Sequence, residues 1–148
     1  MLQEAFAKLF ERDLNKLKQE IASYTNESDL WKIQDGIANS AGNLCLHLVG
    51  NLKSYIGKTL GGIPYERQRD KEFSDKNIPQ TQLLQNIDET KEAVVSTIQK
   101  LNNETLNGKY PLEVLGSEMT TEYFLVHLYG HLDYHLGQVN YHRRLLNK

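Results

Sequence analysis

The sequence has a single cysteine, Cys45, and only three prolines, Pro64, Pro79 and Pro111. A lone cysteine cannot close an intrachain disulfide, so nothing in the composition demands an oxidising compartment. No apolar run reaches the roughly 18 residues of a membrane span. The first stretch, MLQEAFAKLFERDLNKL, carries charges throughout and lacks the apolar core and small-residue cleavage site of a secretory signal. These absences predict a cytoplasmic protein with no membrane partner. A basic surplus is also missing. The formal net charge of −2 argues against nucleic acid as the partner, since no excess cation is available to neutralise a phosphate backbone. With 39% hydrophobic and 24% charged residues the chain reads as globular and not disordered. Its 148 residues suit one domain, 1–148, with a core of its own.

The prolines fall between strongly periodic segments and divide them. Over residues 2–24, Leu2, Phe6, Leu9, Phe10, Leu14, Leu17 and Ile21 recur at helical spacing, with Glu4, Lys8, Glu11 and Lys18 off the stripe. Residues 25–35 read as a connection anchored by Trp31. The second helix, 40–56, is apolar almost all round through Leu44, Leu46, Leu48, Val49, Leu52 and Ile56, which places it inside a bundle. Residues 61–77 form a long polar connection, and such loops are often functional. A third helix covers 80–101, on Leu83, Leu84, Ile87, Val94, Val95, Ile98 and Leu101. Residues 102–117 read as a loop with a short extended stretch near 110–114. The last helix spans about 120–146, with Thr120 or Thr121 as N-cap and Glu122 favoured in the first turn. Four long helices and no strand pattern predict an all-α four-helix bundle with long crossover loops.

Four of the five histidines lie in the last helix: His127, His131, His135 and His142. At about 100° per residue, the first three drift only about 40° per step and share one face. Two imidazoles four residues apart can close on one ion with bonds of about 2.0–2.1 Å. On one side of this stripe lie the core positions Leu125, Leu128, Leu132, Leu136 and Val139. On the other lie Tyr123, Tyr134 and Tyr141, with Glu122, Asp133 and Arg144 facing solvent. Two ligands from one helix leave an ion half-coordinated, and His47 is the only histidine elsewhere. It sits on a narrow polar stripe of Ser40, Asn43, Asn51 and Ser54, whose burial without partners would cost several kcal/mol. Taken singly, each histidine reads more readily as a surface or packing residue than as a ligand. His127 could share the site, stand behind it or pack, and His142, near the chain end, reads as surface. Cys45 lies about 160° around the helix from His47 and reads as core.

The segments Asn39-Ser-Ala-Gly-Asn-Leu-Cys-Leu-His47-Leu-Val-Gly-Asn-Leu52 and His131-Leu-Asp-Tyr-His135-Leu-Gly-Gln138 resemble the DinB-like (DinB/YfiT) superfamily. Its pattern is one histidine on the second helix and H-x-x-x-H-x-G-Q on the fourth, which falls on His47, His131 and His135. An arginine commonly precedes the Gly-Gln, and here it is Leu136, a departure that touches no ligand. The resemblance implies a four-helix bundle, often dimeric, with zinc, nickel or a similar divalent ion on the three histidines. Imidazole donors suit zinc, nickel and iron better than manganese. The resemblance also implies metal-dependent chemistry, since some relatives are transferases or isomerases that use low-molecular-weight thiols such as bacillithiol or mycothiol.

Three neutral imidazoles leave a coordination position open, which is the pattern of a catalytic site. An open Lewis-acidic ion lowers the pKa of a bound thiol, so a metal-dependent S-transferase acting on a small electrophile is the first expectation. Gln138, Asn43, Asn51 and His127 are candidates to orient ligands or water. Arg67 and Arg69 either clamp a carboxylate of the substrate or are simply solvated. A metal-dependent hydrolase would want a carboxylate base, and none lies on the histidine stripe, although Glu66 in the loop could serve. A non-catalytic metal-binding or stress-response module is the remaining alternative. Di-iron chemistry would need inward glutamates with Glu-x-x-His spacing, which these helices do not offer.

Overall fold

A computed structural model describes residues 2–148. Its helices are α1 (Leu2–Ala22), α2 (Ala41–Leu52), α3 (Arg69–Ser74), α4 (Gln80–Gln99), α5 (Asn103–Asn107) and α6 (Thr121–Leu146). The four long ones form the expected four-helix bundle. α1 packs on α4 and α6, and α2 packs on the same two from the opposite corner. Helices consecutive along the chain, α1 then α2 and α4 then α6, therefore stand on diagonals. Their connections must cross the end of the bundle, which is why they are long.

Each long helix earns its place by the stripe it buries. From α1 come Phe6, Phe10, Leu14, Leu17 and Ile21, while Leu2 stays exposed and Leu9 is half-buried. Burying side chains of this size stabilises the fold by about 1.5–3 kcal/mol each. α4 contributes Leu83, Ile87, Val94 and Ile98. In α2 every residue but Leu46 is buried, as its all-round apolarity predicts. Ser40 caps α2 by accepting from the Asn43 N–H, and Thr120 caps α6 by accepting from the Tyr123 N–H. Trp31 does anchor the first connection. It lies so close over α2 that a Cβ at Gly42 would sit 2.6 Å from its ring. Cys45 is wholly buried, and burial pushes its thiol up to about 12, so it is an inert core residue.

Three expectations need correction. α2 continues into a π-helical turn, Lys53–Lys58, in place of regular helix to residue 56. Residues 110–114 form no strand; the extended pairing in this loop is a single bridge between Lys109 and Thr120. The 61–77 connection is partly helical, and α3 lies directly on α2. No helix among the described residues is long and apolar enough to cross a membrane.

Candidate metal centre

The polar stripe of α2 faces the histidine stripe of α6, and the two helices run in opposite directions along this seam. His47, His131 and His135 meet there, each offering one nitrogen, with all three nitrogens within 4.8 Å of one another. His47 Nε2 stands 3.1 Å from His131 Nε2. Two nitrogens bound tetrahedrally to one ion at about 2.0–2.1 Å lie about 3.3 Å apart, so this spacing suits a shared ion.

The donor chemistry fits as well. His47 Nδ1 is 3.0 Å from Glu72 Oε1, and His135 Nδ1 is 2.6 Å from Gln138 Oε1. Both acceptors fix the ring proton on Nδ1 and leave Nε2 with a free lone pair toward the cluster. Burial pulls His131 down to about 4, helped by His135, His47 and His127, so it is neutral at physiological pH. Burial also lowers His135, against the opposing bond from Gln138. Neutral imidazole is the form that binds metal.

Glu72 is the residue that sequence reasoning missed. It sits in the charged run of the long connection, which reads as solvated, yet it is buried. Arg67 grips it with two bonds, Nε to Oε2 at 2.9 Å and a terminal nitrogen to Oε1 at 3.0 Å. Burial alone would raise the Glu72 carboxyl, but the bonds from His47 and Arg67 outweigh it and hold it below the ordinary glutamate value. Gly50 makes the room, because a Cβ there would lie 1.9 Å from Glu72 Oε2. A glycine within a helix, such as Gly50 here, is the sequence feature that hints at such an approach. Phe73 follows and covers His47 at 5.0 Å between ring centres.

The other expected residues divide. Among the described residues Asn43 has no hydrogen bond to a histidine; its Nδ2 donates to the Glu72 and Asp75 carbonyls, both at 2.9 Å, and so pins α3 to α2. Asn51 is buried beside the cluster, and its Oδ1 has no hydrogen-bond partner. His127 is exposed and stacks on Phe124 at 5.8 Å. Asn51, His127, Arg67 and Arg69 line one cavity of about 230 Å³ together with His47 and His131. Arg67 is thus committed to Glu72, whereas no carboxylate among the described residues pairs with Arg69. Glu66 lies in a different cavity, away from the histidines. His142 overturns its expectation. It is buried, with Nδ1 accepting from the Tyr24 hydroxyl at 2.6 Å and Nε2–H donating to the Lys32 carbonyl at 2.8 Å.

A helical bundle with three convergent imidazoles in an open seam has the donor set of a mononuclear metal centre. The chain belongs to the DUF1572 family of proteins of unknown function, whose profile matches residues 2–148. No curated protein matches the sequence. Two solved structures share the fold. A DinB-like protein from Bacillus cereus has 19% identity and a TM-score of 0.72, over 96% of this chain and 91% of that one. YfiT from Bacillus subtilis, described as a probable metal-dependent hydrolase with an unusual four-helix bundle topology, has 18% identity and a TM-score of 0.75, over 97% of this chain and 86% of its own. The DinB-like bundle expected from the two histidine motifs is the fold observed.

Proposed function

We propose that this protein is a cytoplasmic metal-dependent enzyme acting on a small molecule, with one divalent ion, zinc or nickel first, held by His47, His131 and His135. One observation carries the reading: two of the three rings have Nδ1 tied to an acceptor, which leaves Nε2 free, and the three histidines offer nitrogens within 4.8 Å of one another. Bound there, such an ion supplies Lewis acidity that favours the ionised form of a thiol or water. Around it the chain's own groups have separate tasks. Glu72 and Gln138 orient ligand rings. Arg69, aided by the outer edge of Arg67, attracts a carboxylate. Leu128 and Phe124 wall the cavity against water.

The finer form of the reading is S-transfer from a low-molecular-weight thiol. It is supported by the carboxylate inventory, because Glu72 is held by His47 and Arg67 and is unsuited to act as a general base. A second reading, hydrolysis, draws on the description of YfiT and on His127, an imidazole on the cavity wall that could take a proton from water.

Metal analysis of untagged protein, before and after incubation with zinc or nickel, tests the site. One equivalent is expected for the native chain and none for His131→Ala, with the bundle still folded by circular dichroism. Retention of a full equivalent by the variant would refute the ligand set. Consumption of a small thiol with a test electrophile, against hydrolysis of ester and amide substrates, separates the two enzymatic forms. Metal binding without turnover in either assay would leave the non-catalytic module.

A further inference from the structure

The histidine cluster lies between two cavities of opposite character. Along α6 the cationic one takes residues from Phe124 to His131, the second takes residues from Gln138 to Leu145, and His135 lies between the two stretches. α2, running the other way, gives His47 and Asn51 to the first and Leu44 to the second.

The second cavity is the larger, about 420 Å³, within the range of small-molecule sites. It touches none of the three histidines directly. Its link to them is Gln138, which forms part of its wall and holds His135 through Oε1. The rest of the wall is mainly apolar, from Ile37, Ala38, Leu44, Tyr141 and Leu145. No aspartate, glutamate, lysine or arginine lines it, and His142 at its edge has both ring nitrogens already engaged. A charged ligand would lose its hydration here and find no ionic partner, whereas an uncharged apolar one is favoured. Tyr141 and Leu145 are 63% and 52% exposed, so two large apolar side chains at this cavity stay wet until something covers them.

We propose that this cavity holds the apolar end of an uncharged co-substrate, whose electrophilic end passes Gln138 to reach the thiol at the cluster. Its role rests on the thiol-transfer reading above; its binding preference rests on the cavity alone. In the reaction the thiol releases its proton to solvent and its sulfur forms a bond to the electrophilic carbon. The leaving group departs with the electron pair of the bond that breaks, and no oxidant or reductant is needed.

The test uses N-phenyl-1-naphthylamine, a neutral fluorophore that brightens in apolar surroundings, on metal-free and metal-loaded full-length protein. Saturable binding of one equivalent is expected in both. Ala38→Trp, which fills the cavity from an exposed loop position, should weaken it by about tenfold or more, while Arg69→Ala leaves it unchanged. Leu145→Lys, a charge at the rim, should also weaken it. No binding to the native chain, or equal binding by native, Ala38→Trp and Leu145→Lys proteins, overturns the proposal. Metal content measured on the same samples reports the metal reading independently. With monochlorobimane as electrophile and mercaptoacetate as thiol, Ala38→Trp should raise KM for the bimane alone and Arg69→Ala that for the thiol alone. A raised thiol KM in Ala38→Trp would overturn the subsite assignment. Absence of turnover with intact probe binding would sink the transfer reading and leave the cavity's preference standing.

Discussion

Glu72→Gln tests whether the long connection serves the site or merely straps the bundle. The carboxylate has three contacts of 2.9–3.0 Å, one from His47 and two from Arg67, and it is buried. Glutamine keeps the shape but loses the charge, and its amide can accept well from only one donor group. Arg67, with its side chain 15% exposed, is left beside a neutral partner. Charge-assisted bonds contribute about 1.5–3 kcal/mol each, and isosteric replacement keeps part of that, so the metal-free protein should lose about 2–3 kcal/mol of stability. The loss at the site is separate. Without a carboxylate on Nδ1, the His47 ring is less firmly aimed. Removing such a partner lowers metal affinity by about ten- to a hundredfold, or about 1.4–2.7 kcal/mol.

Urea unfolding of metal-free protein reads the first effect, and competition against a chromophoric chelator reads the second. A strap predicts lost stability with unchanged affinity, and that result would refute the assigned role. Gly50→Ala provides an independent check, because its Cβ would stand 1.9 Å from Glu72 Oε2 and 2.6 Å from Cδ. Alanine in a helix interior normally gains up to about 1 kcal/mol over glycine. Here the obstacle is a carboxylate fixed by three bonds, so the variant should lose both stability and affinity with every charge still present.

Two further predictions concern α6. Burial holds His142 below its ordinary value, so the folded state stays neutral while the unfolded chain takes up a proton. This contribution is complete above about pH 6.5 and declines as pH falls below it, by at most about 1.4 kcal/mol per pH unit. His142→Gln can keep both hydrogen bonds and cannot titrate; its unfolding free energy should fall less steeply in acid than the native protein's, and parallel slopes would contradict the assignment. The homodimer implied by the family resemblance is predicted to form on the outer face of α6, where Tyr123, Val126 and Tyr134 are exposed around an open Gly130. Gly130→Arg should then sediment as a folded monomer, and a native protein that is itself monomeric at high concentration would exclude the face.

What was legible in the sequence followed from local geometry. The step from His131 to His135 becomes proximity through the helical repeat alone, and the buried setting of His47 follows from an apolar helix with one polar stripe. Gln138 could be placed beside His135 because three residues in a helix bring side chains together. Partners distant in the chain could not be read in this way. Glu72 meets His47 across 25 residues, and its charged neighbours disguise its burial. His142 lies close to the chain end, which suggested solvent, but its partners Tyr24 and Lys32 are 118 and 110 residues away. The π turn after Leu52 carries no pattern distinct from an ordinary helix, since the same apolar residues serve either.

The seam also buries polar groups that folding alone does not explain. Of the polar groups that α2 buries there, Ser40 and Asn43 bond to each other, Asn43 also holds α3, and His47 Nδ1 has Glu72. Asn51 Oδ1 and His131 Nδ1 are left without partners, and both residues line the cationic cavity. An unpaired buried polar atom costs about 1–3 kcal/mol, so folding alone would favour an apolar residue of similar size at 51. Asn51→Leu should therefore raise the unfolding free energy by about 1–2 kcal/mol while weakening turnover or substrate affinity in the thiol-transfer and hydrolysis assays. Lower stability in the variant would mean that Asn51 is satisfied within the fold and that its place on the cavity wall is incidental. Higher stability with unchanged activity would leave it without the role proposed for the cavity.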